Sequence, residues 1–115
     1  MVGGRGSYVP DRGDAIWLNF KPQTGREQAG HRPALVLSPQ AYNGKVGLAL
    51  LCPVTSRVKG YPFEVPLPGG LDVHGVVLAD QVRSLDWRRR EARLIDAVPG
   101  TVVREVIARI ETLLR

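Results

Sequence analysis

Apolar and polar positions along this chain follow two different periods, and the change of period divides it. In Asp14–Phe20, DAIWLNF, Ala15 and Trp17 fall on one side while Ile16, Leu18 and Phe20 fall on the other. A strand here has apolar groups on both faces and is expected to be covered on both. A second strand is expected from Arg32 to Ser38, stopped by Pro39. Asn43-Gly44 signals a turn before a long third strand from Val46 to Val54. PFEVPL at 62–67 alternates weakly, and its prolines suit an edge position. After a turn at Pro68-Gly69-Gly70, HGVVLADQVRSL at 74–85 returns as one or two strands.

The last segment, PGTVVREVIARIETLLR, is different. Val102, Val103, Val106, Ile107, Ile110, Leu113 and Leu114 form the stripe of an amphipathic helix, with Arg104, Glu105, Glu111 and Thr112 away from it. Pro99 as first helical residue and Thr101 as N-cap both suit its start. About five short strands followed by one helix predict a mainly β fold, a small and strongly bent barrel packed on a C-terminal α-helix. With 115 residues, the chain is expected to form one domain over 8–115, long enough for one core without staples. Three glycines and a serine in residues 1–7 predict a flexible N-terminal tail.

Charge narrows the class of partner. The formal net charge is +5, and thirteen of the sixteen basic residues are arginines, whose planar fork suits phosphate. Nucleic acid or an acidic protein segment is the expected partner. No stretch approaches the roughly 20 apolar residues that cross a bilayer, and the first ten residues lack the apolar core of a signal peptide. No membrane partner is therefore expected, and the cytoplasm is. The single cysteine, Cys52, lies in an apolar run and reads as a small buried hydrophobe.

The familiar catalytic signatures are missing. There is no Gly-rich phosphate loop after a strand and no Gly-x-Ser-x-Gly. His31 and His74 are far apart, and His74, opening a strand, reads as structural. Asp72, Asp80 and Asp86 would form a metal nest only if the fold happened to gather them. No metal and no cofactor are expected. Cleavage without metal remains open, because RNA carries its own nucleophile in the 2′-hydroxyl. The stretch GREQAGHRPALVLSP at 25–39 holds candidates: Arg32 at the entry of a strand can clamp a phosphate, and Glu27 or His31 can move a proton. Thr55, ending the third strand, can hold a phosphate oxygen. Each also has a plainer use: Arg32 pairing with Glu27, and Thr55 capping a turn.

YVPDRGDAIWLNFKP (8–22), GREQAGHRPALVLSP (25–39), CPVTSRVKGYPFEV (52–65) and GVVLADQVRSLDWR (75–88) together resemble the MazF/PemK family of toxin endoribonucleases. The likeness runs from Tyr8 to Arg115. It implies an SH3-like small β-barrel of the MazF/CcdB kind with a C-terminal α-helix, assembled as a homodimer. It implies sequence-specific, metal-independent cleavage of single-stranded RNA, usually mRNA, leaving 2′,3′-cyclic phosphate and 5′-hydroxyl ends. It also implies a cognate antitoxin, MazE-like, whose acidic C-terminal tail covers the basic groove. The family's Glu-Gln-x-Gly-x-Arg-Pro motif falls on Glu27, Gln28 and Arg32, and its catalytic threonine on Thr55.

Arg32, Thr55 and Glu27 are thus the expected catalytic set. Expected substrate contacts are Gln28, His31, Ser56, Arg57, Lys59, Asp80 and Gln81. Flanked by Arg26, His31 and Arg32, Glu27 is expected to be a poor base at neutral pH, so Arg32 and Thr55 rank above it. WRRRE at 87–91 reads as a solvated charge run, and Leu85 and Trp87 as exposed apolar groups available to a dimer contact. A gyrase poison of the CcdB type shares the fold, but its activity depends on a Trp-Gly-Ile ending where this chain reads Glu111 to Arg115. A barrel that binds nucleic acid without cutting it is the third reading.

Overall fold

The computed structural model describes residues 8–20 and 30–115. Seven strands and two helices follow in the order β1 (Asp14–Asn19), β2 (His31–Val36), α1 (Gln40–Val46), β3 (Leu48–Thr55), β4 (Glu64–Pro66), β5 (Val76–Leu78), β6 (Arg83–Asp86), β7 (Arg93–Ala97) and α2 (Gly100–Glu111). Every pairing is antiparallel. The sheet runs β4-β5-β3-β2-β1-β7, with β6 also on β3. Among the described residues the pairing does not close into a full barrel; it is a curled sheet with the expected C-terminal helix. The expected tail 1–7 and the residues 21–29 lie outside the described residues. None of the described helices is long and apolar enough to cross a membrane.

The central strand is β3, which changes partners along its length. Leu48–Leu51 pair with β6, whereas Val54 and Thr55 pair with β5. On the other edge, Leu51, Cys52 and Pro53 pair with β2. Pro53 has no N–H to donate, and it falls in the two-residue gap where β6 has ended and β5 has not begun.

Alternation along these strands feeds two cores. Ala15, Leu35, Leu37, Cys52, Val54 and Val77 pack toward α2, which contributes Val102, Val103 and Val106. Ile16, Leu18, Ala34, Val36, Ala49 and Leu51 point the other way and are covered by Leu85 and Trp87, with Tyr8, Val9 and Phe20 at the edge. The expectation that β1 is covered on both faces holds for Ala15, Ile16 and Leu18; Trp17 stays 40% exposed. Cys52 is fully buried, and that burial, with Asp80 second, pushes its thiol up to about 12.

Several expectations are corrected. Leu85 and Trp87 are buried, because they roof the second core; the Trp87 indole N–H donates to the Asn43 carbonyl at 3.0 Å. Asn43-Gly44 lies inside α1 rather than in a hairpin turn. Asn43 is fully buried, accepting from the Ser38 hydroxyl at 2.5 Å and donating to the carbonyls of Pro10 and Ser38. Gly47, in the left-handed region at φ 83°, ends that helix and delays β3 to Leu48. Strand β2 starts at His31 and stops at Val36, and β7, unforeseen, pairs with β1. Pro99 precedes α2, and Thr101 lies within its first turn. Leu113 and Leu114 lie past the helix end and are exposed. His74 is exposed and outside any strand. The weak 62–67 segment does supply the edge strand β4.

Candidate active site

Arg32 and Thr55 come from strands that are neighbours in the sheet. The β2–β3 ladder pairs Val36 with Leu51, Leu35 with Cys52 and Ala34 with Pro53. Carried two residues further, the same register sets Arg32 across from Thr55. Residues directly opposite in antiparallel strands share a face. Here it is the face of Ala34, Val36, Ala49 and Leu51, so the two side chains stand at the rim of the second core. Arg32 is exposed, and its backbone is fixed by pairing with Leu18 of β1.

Thr55 is fixed more tightly. It pairs with Val76, and the chain before Val76 crosses it at Gly75. A Cβ on Gly75 would lie 2.1 Å from the Thr55 carbonyl oxygen, and Gly75 has φ +111°. Only glycine permits that approach. The Thr55 hydroxyl accepts from the Arg57 backbone N–H at 3.1 Å, so the turn-capping use is real. A hydroxyl that accepts one bond still has its proton to give, so this contact leaves Thr55 able to donate to an anionic oxygen.

The segment after Thr55 carries Ser56, Arg57 and Lys59, all exposed. Its path is set by the carboxylate of Glu64, which accepts the N–H groups of Lys59 at 2.9 Å and Gly60 at 2.8 Å. The Tyr61 hydroxyl donates to Asp80 at 2.5 Å. That bond, ahead of burial, pushes the Tyr61 phenol up to about 12. Asp80 and Gln81 lie in a 3-10 turn after β5. The β2–β3 register thus brings Arg32 to the end of β3 that carries Thr55, Ser56 and Arg57, while Asp80 is tied through Tyr61 to the segment that follows Thr55.

His31 is not gathered with them. Successive strand residues face opposite ways, so His31 is turned from the Arg32 side toward the helix-side core. Its Nε2 is buried and finds no hydrogen-bond partner among the described residues. Glu27 and Gln28 lie outside the described residues. The carboxylates of Asp80 and Asp86 are engaged locally, Asp80 accepting from the Tyr61 hydroxyl and Asp86 from the Arg89 N–H. Among the described residues no three His, Cys, Asp or Glu side chains converge as a metal site. The arginine run divides: Arg88 stacks on Trp87 at 4.5 Å, and Arg90 donates to the carbonyls of Asn19 and Phe20. Sequence reasoning passed over Arg83, which the parity of β6 places on the same face as Leu85 and Arg32.

A curled antiparallel sheet packed on a C-terminal helix, with Arg32 and Thr55 on one face of adjacent strands, defines a small mainly β domain. A family profile described as "PemK-like, MazF-like toxin of type II toxin-antitoxin system" matches residues 11–114, and the chain belongs to that family. It is 51% identical over 107 residues to "Endoribonuclease toxin MazF" of Escherichia coli (strain K12), covering 93% of this chain and 96% of that one. It superposes on the crystal structure of MazF (Form-I) from Deinococcus radiodurans with a TM-score of 0.85, at 62% identity over 93% of this chain and 97% of that one. A MazE–MazF crystal structure (Form-II) from the same organism gives a TM-score of 0.84 at 57% identity, covering 93% and 96%.

The close crossing at Thr55 generates a prediction. Gly75→Ala is expected to destabilise the fold by at least about 2 kcal/mol, because backbone rather than a flexible side chain must move. Urea denaturation measures it, and an unchanged midpoint would show that Gly75 does not hold Thr55.

Proposed function

We propose that this chain is a toxin endoribonuclease that cuts single-stranded RNA, mRNA above all, at a preferred sequence and without a metal. The observation that carries the reading is the β2–β3 register, which, carried two residues past Ala34–Pro53, sets Arg32 opposite Thr55 on one face of the sheet. The family and the relatives named above support an endoribonuclease; the mechanism follows from the residues. The RNA 2′-hydroxyl attacks the adjacent phosphorus, its proton is taken up, and the 5′-oxygen leaves with a proton. The products are a 2′,3′-cyclic phosphate and a 5′-hydroxyl. Charge builds on the non-bridging oxygens at the transition state, where a forked cation helps most. Arg32 supplies that cation, and the Thr55 hydroxyl donates to one of the same oxygens. Glu27 completes the catalytic set. Gln28, Ser56, Arg57, Lys59 and Gln81 provide RNA contacts, and Asp80 orders its part of the surface through Tyr61.

The net charge of +5 suits both RNA and an acidic protein segment. A MazE-like antitoxin with an acidic C-terminal tail is accordingly the proposed neutralising partner, and the cytoplasm the proposed place of action. A homodimer is part of the same reading. With Leu85 and Trp87 buried, its contact is assigned to the apolar groove of about 710 Å³ lined by Leu37, Tyr42, Leu50, Ile107, Ile110 and Leu114. Tyr42, Leu50 and Leu114 are 43%, 41% and 75% exposed, apolar area that a second copy would cover.

Purified protein incubated with a long RNA in excess EDTA should still cut it, leaving cyclic-phosphate ends. Arg32→Ala should lower the rate about 100- to 1,000-fold while the protein stays folded. A strict magnesium requirement, or a folded Arg32→Ala protein of normal activity, would refute the mechanism. For the dimer, Leu50→Asp is expected to give a monomer in sedimentation at concentrations where the parent chain is a dimer. A parent chain that sediments as a monomer, or an unaltered dimer in the variant, would remove the assignment.

A further inference from the structure

Arg83 is the arginine on this face that the ribonuclease reading leaves unused. Strand β6 pairs Leu85 with Ala49 and Arg83 with Leu51, and Leu85, Ala49 and Leu51 all belong to the second core. Two residues along a strand return to the same face, so Arg83 emerges from the side that carries Arg32 and Thr55. It is exposed, and its guanidinium carbon lies 5.4 Å from the centre of the Phe20 ring.

The ring packs against the edge of the second core, and its backbone is tied down. The Phe20 N–H donates to the Gly30 carbonyl at 2.8 Å, closing the neck between β1 and β2 one residue before His31 and two before Arg32. The Phe20 carbonyl accepts from Arg90 at 3.0 Å, and the Asn19 N–H donates to the Arg90 carbonyl at 3.0 Å. The Phe20 backbone is therefore held at its N–H by the Gly30 carbonyl and at its carbonyl by the Arg90 guanidinium. A guanidinium resting on an aromatic ring loses freedom without losing its in-plane N–H edge, which is the edge that grips phosphate. Among the described residues the two ion pairs lie on or just past α2, Arg109 with Glu105 and Arg115 with Glu111, so no described carboxylate takes up the Arg83 charge.

We infer that Arg83, stacked on Phe20, is an RNA-backbone contact that grips a phosphate on the same face as the one held by Arg32. This rests on the ribonuclease reading and adds a binding residue to it. The role differs from that of Arg32: Arg83 anchors the strand, so its loss should appear in binding and KM rather than in kcat.

The test uses the full chain and an RNA spanning a mapped cut site, with one 2′-deoxy nucleotide at the scissile position to block cleavage. Fluorescence anisotropy gives Kd across a salt series for the parent chain, Arg83→Gln and Arg83→Lys. Each phosphate neutralised on a single strand contributes about 0.7 to the slope of log K against log salt. Arg83→Gln should flatten that slope by about 0.7 and raise KM on the cleavable RNA with kcat little changed. Arg83→Lys, which keeps the charge without the stacking fork, should restore the slope. Weaker binding with an unaltered slope would mean a structural role and overturn the contact, as would no effect at all. If the slope for RNA is unaltered while the salt dependence of antitoxin binding changes, Arg83 belongs to the protein partner and the inference fails. A parent chain that cuts no RNA would sink the ribonuclease reading and the contact with it.

Discussion

One strand has to serve three partners, and the rest of the molecule is arranged around that demand. The eight residues of β3 pair with β6 first, β5 last and β2 between. A strand cannot switch neighbours on one edge without leaving backbone groups unpaired at the switch. Pro53 lies in that gap, where its missing N–H removes one group that would otherwise need a partner. Beyond the gap, β5 reaches Thr55 only because Gly75 has no side chain; a single methyl there would overlap the Thr55 carbonyl. The end of β3, where the chemistry is assigned, is thus held by backbone pairing with β5 at Thr55 and with β2 up to Pro53. A catalytic hydroxyl at the tip of a free loop would have no such support.

The same strand explains the division of labour between the two faces. On the helix side, the sheet buries Leu35, Cys52, Val54 and Val77 against the valines of α2. On the other side, a smaller core roofed by Leu85 and Trp87 runs out toward the ends of β2 and β3. There the apolar positions give way to Arg32, Thr55 and Arg83, on strands whose paths are already fixed by packing. Carboxylates near this rim are turned to internal work: Glu64 holds the backbone of Lys59 and Gly60, and Asp80 holds Tyr61. The arginines face outward with no described carboxylate paired to them, as an anion-binding surface requires.

Much of this could be read from residue order, and the parts that could not share a cause. The stripe of α2 and the alternation of β1 to β3 are local patterns, and they reappear with shifts of a residue or two. Asn43-Gly44 misleads because the dipeptide suits a tight turn locally, while its actual role depends on Pro10, thirty-three residues away. Strand β7 has one half-buried isoleucine and an exposed leucine, too weak a pattern to announce a strand; pairing with β1 makes it one. Trp87 beside three arginines reads as surface, yet it closes a core that only the folded sheet creates. At the site, motif resemblance pointed to Arg32 and Thr55, but not to why they meet. The register of β2 on β3 supplies the reason, and strand parity separates His31 from them and brings Arg83 to their side.

The central claim is that Arg32 and Thr55, from two strands, act on one phosphate. A double-mutant cycle on cleavage tests it most directly, with Arg32→Ala, Thr55→Ala and the combination compared in kcat/KM on one RNA. Groups that serve the same transition state fail together, so the double variant should lose little more than Arg32→Ala alone. If the two losses multiply in full, the residues act independently, and the shared site drawn from the strand register is wrong.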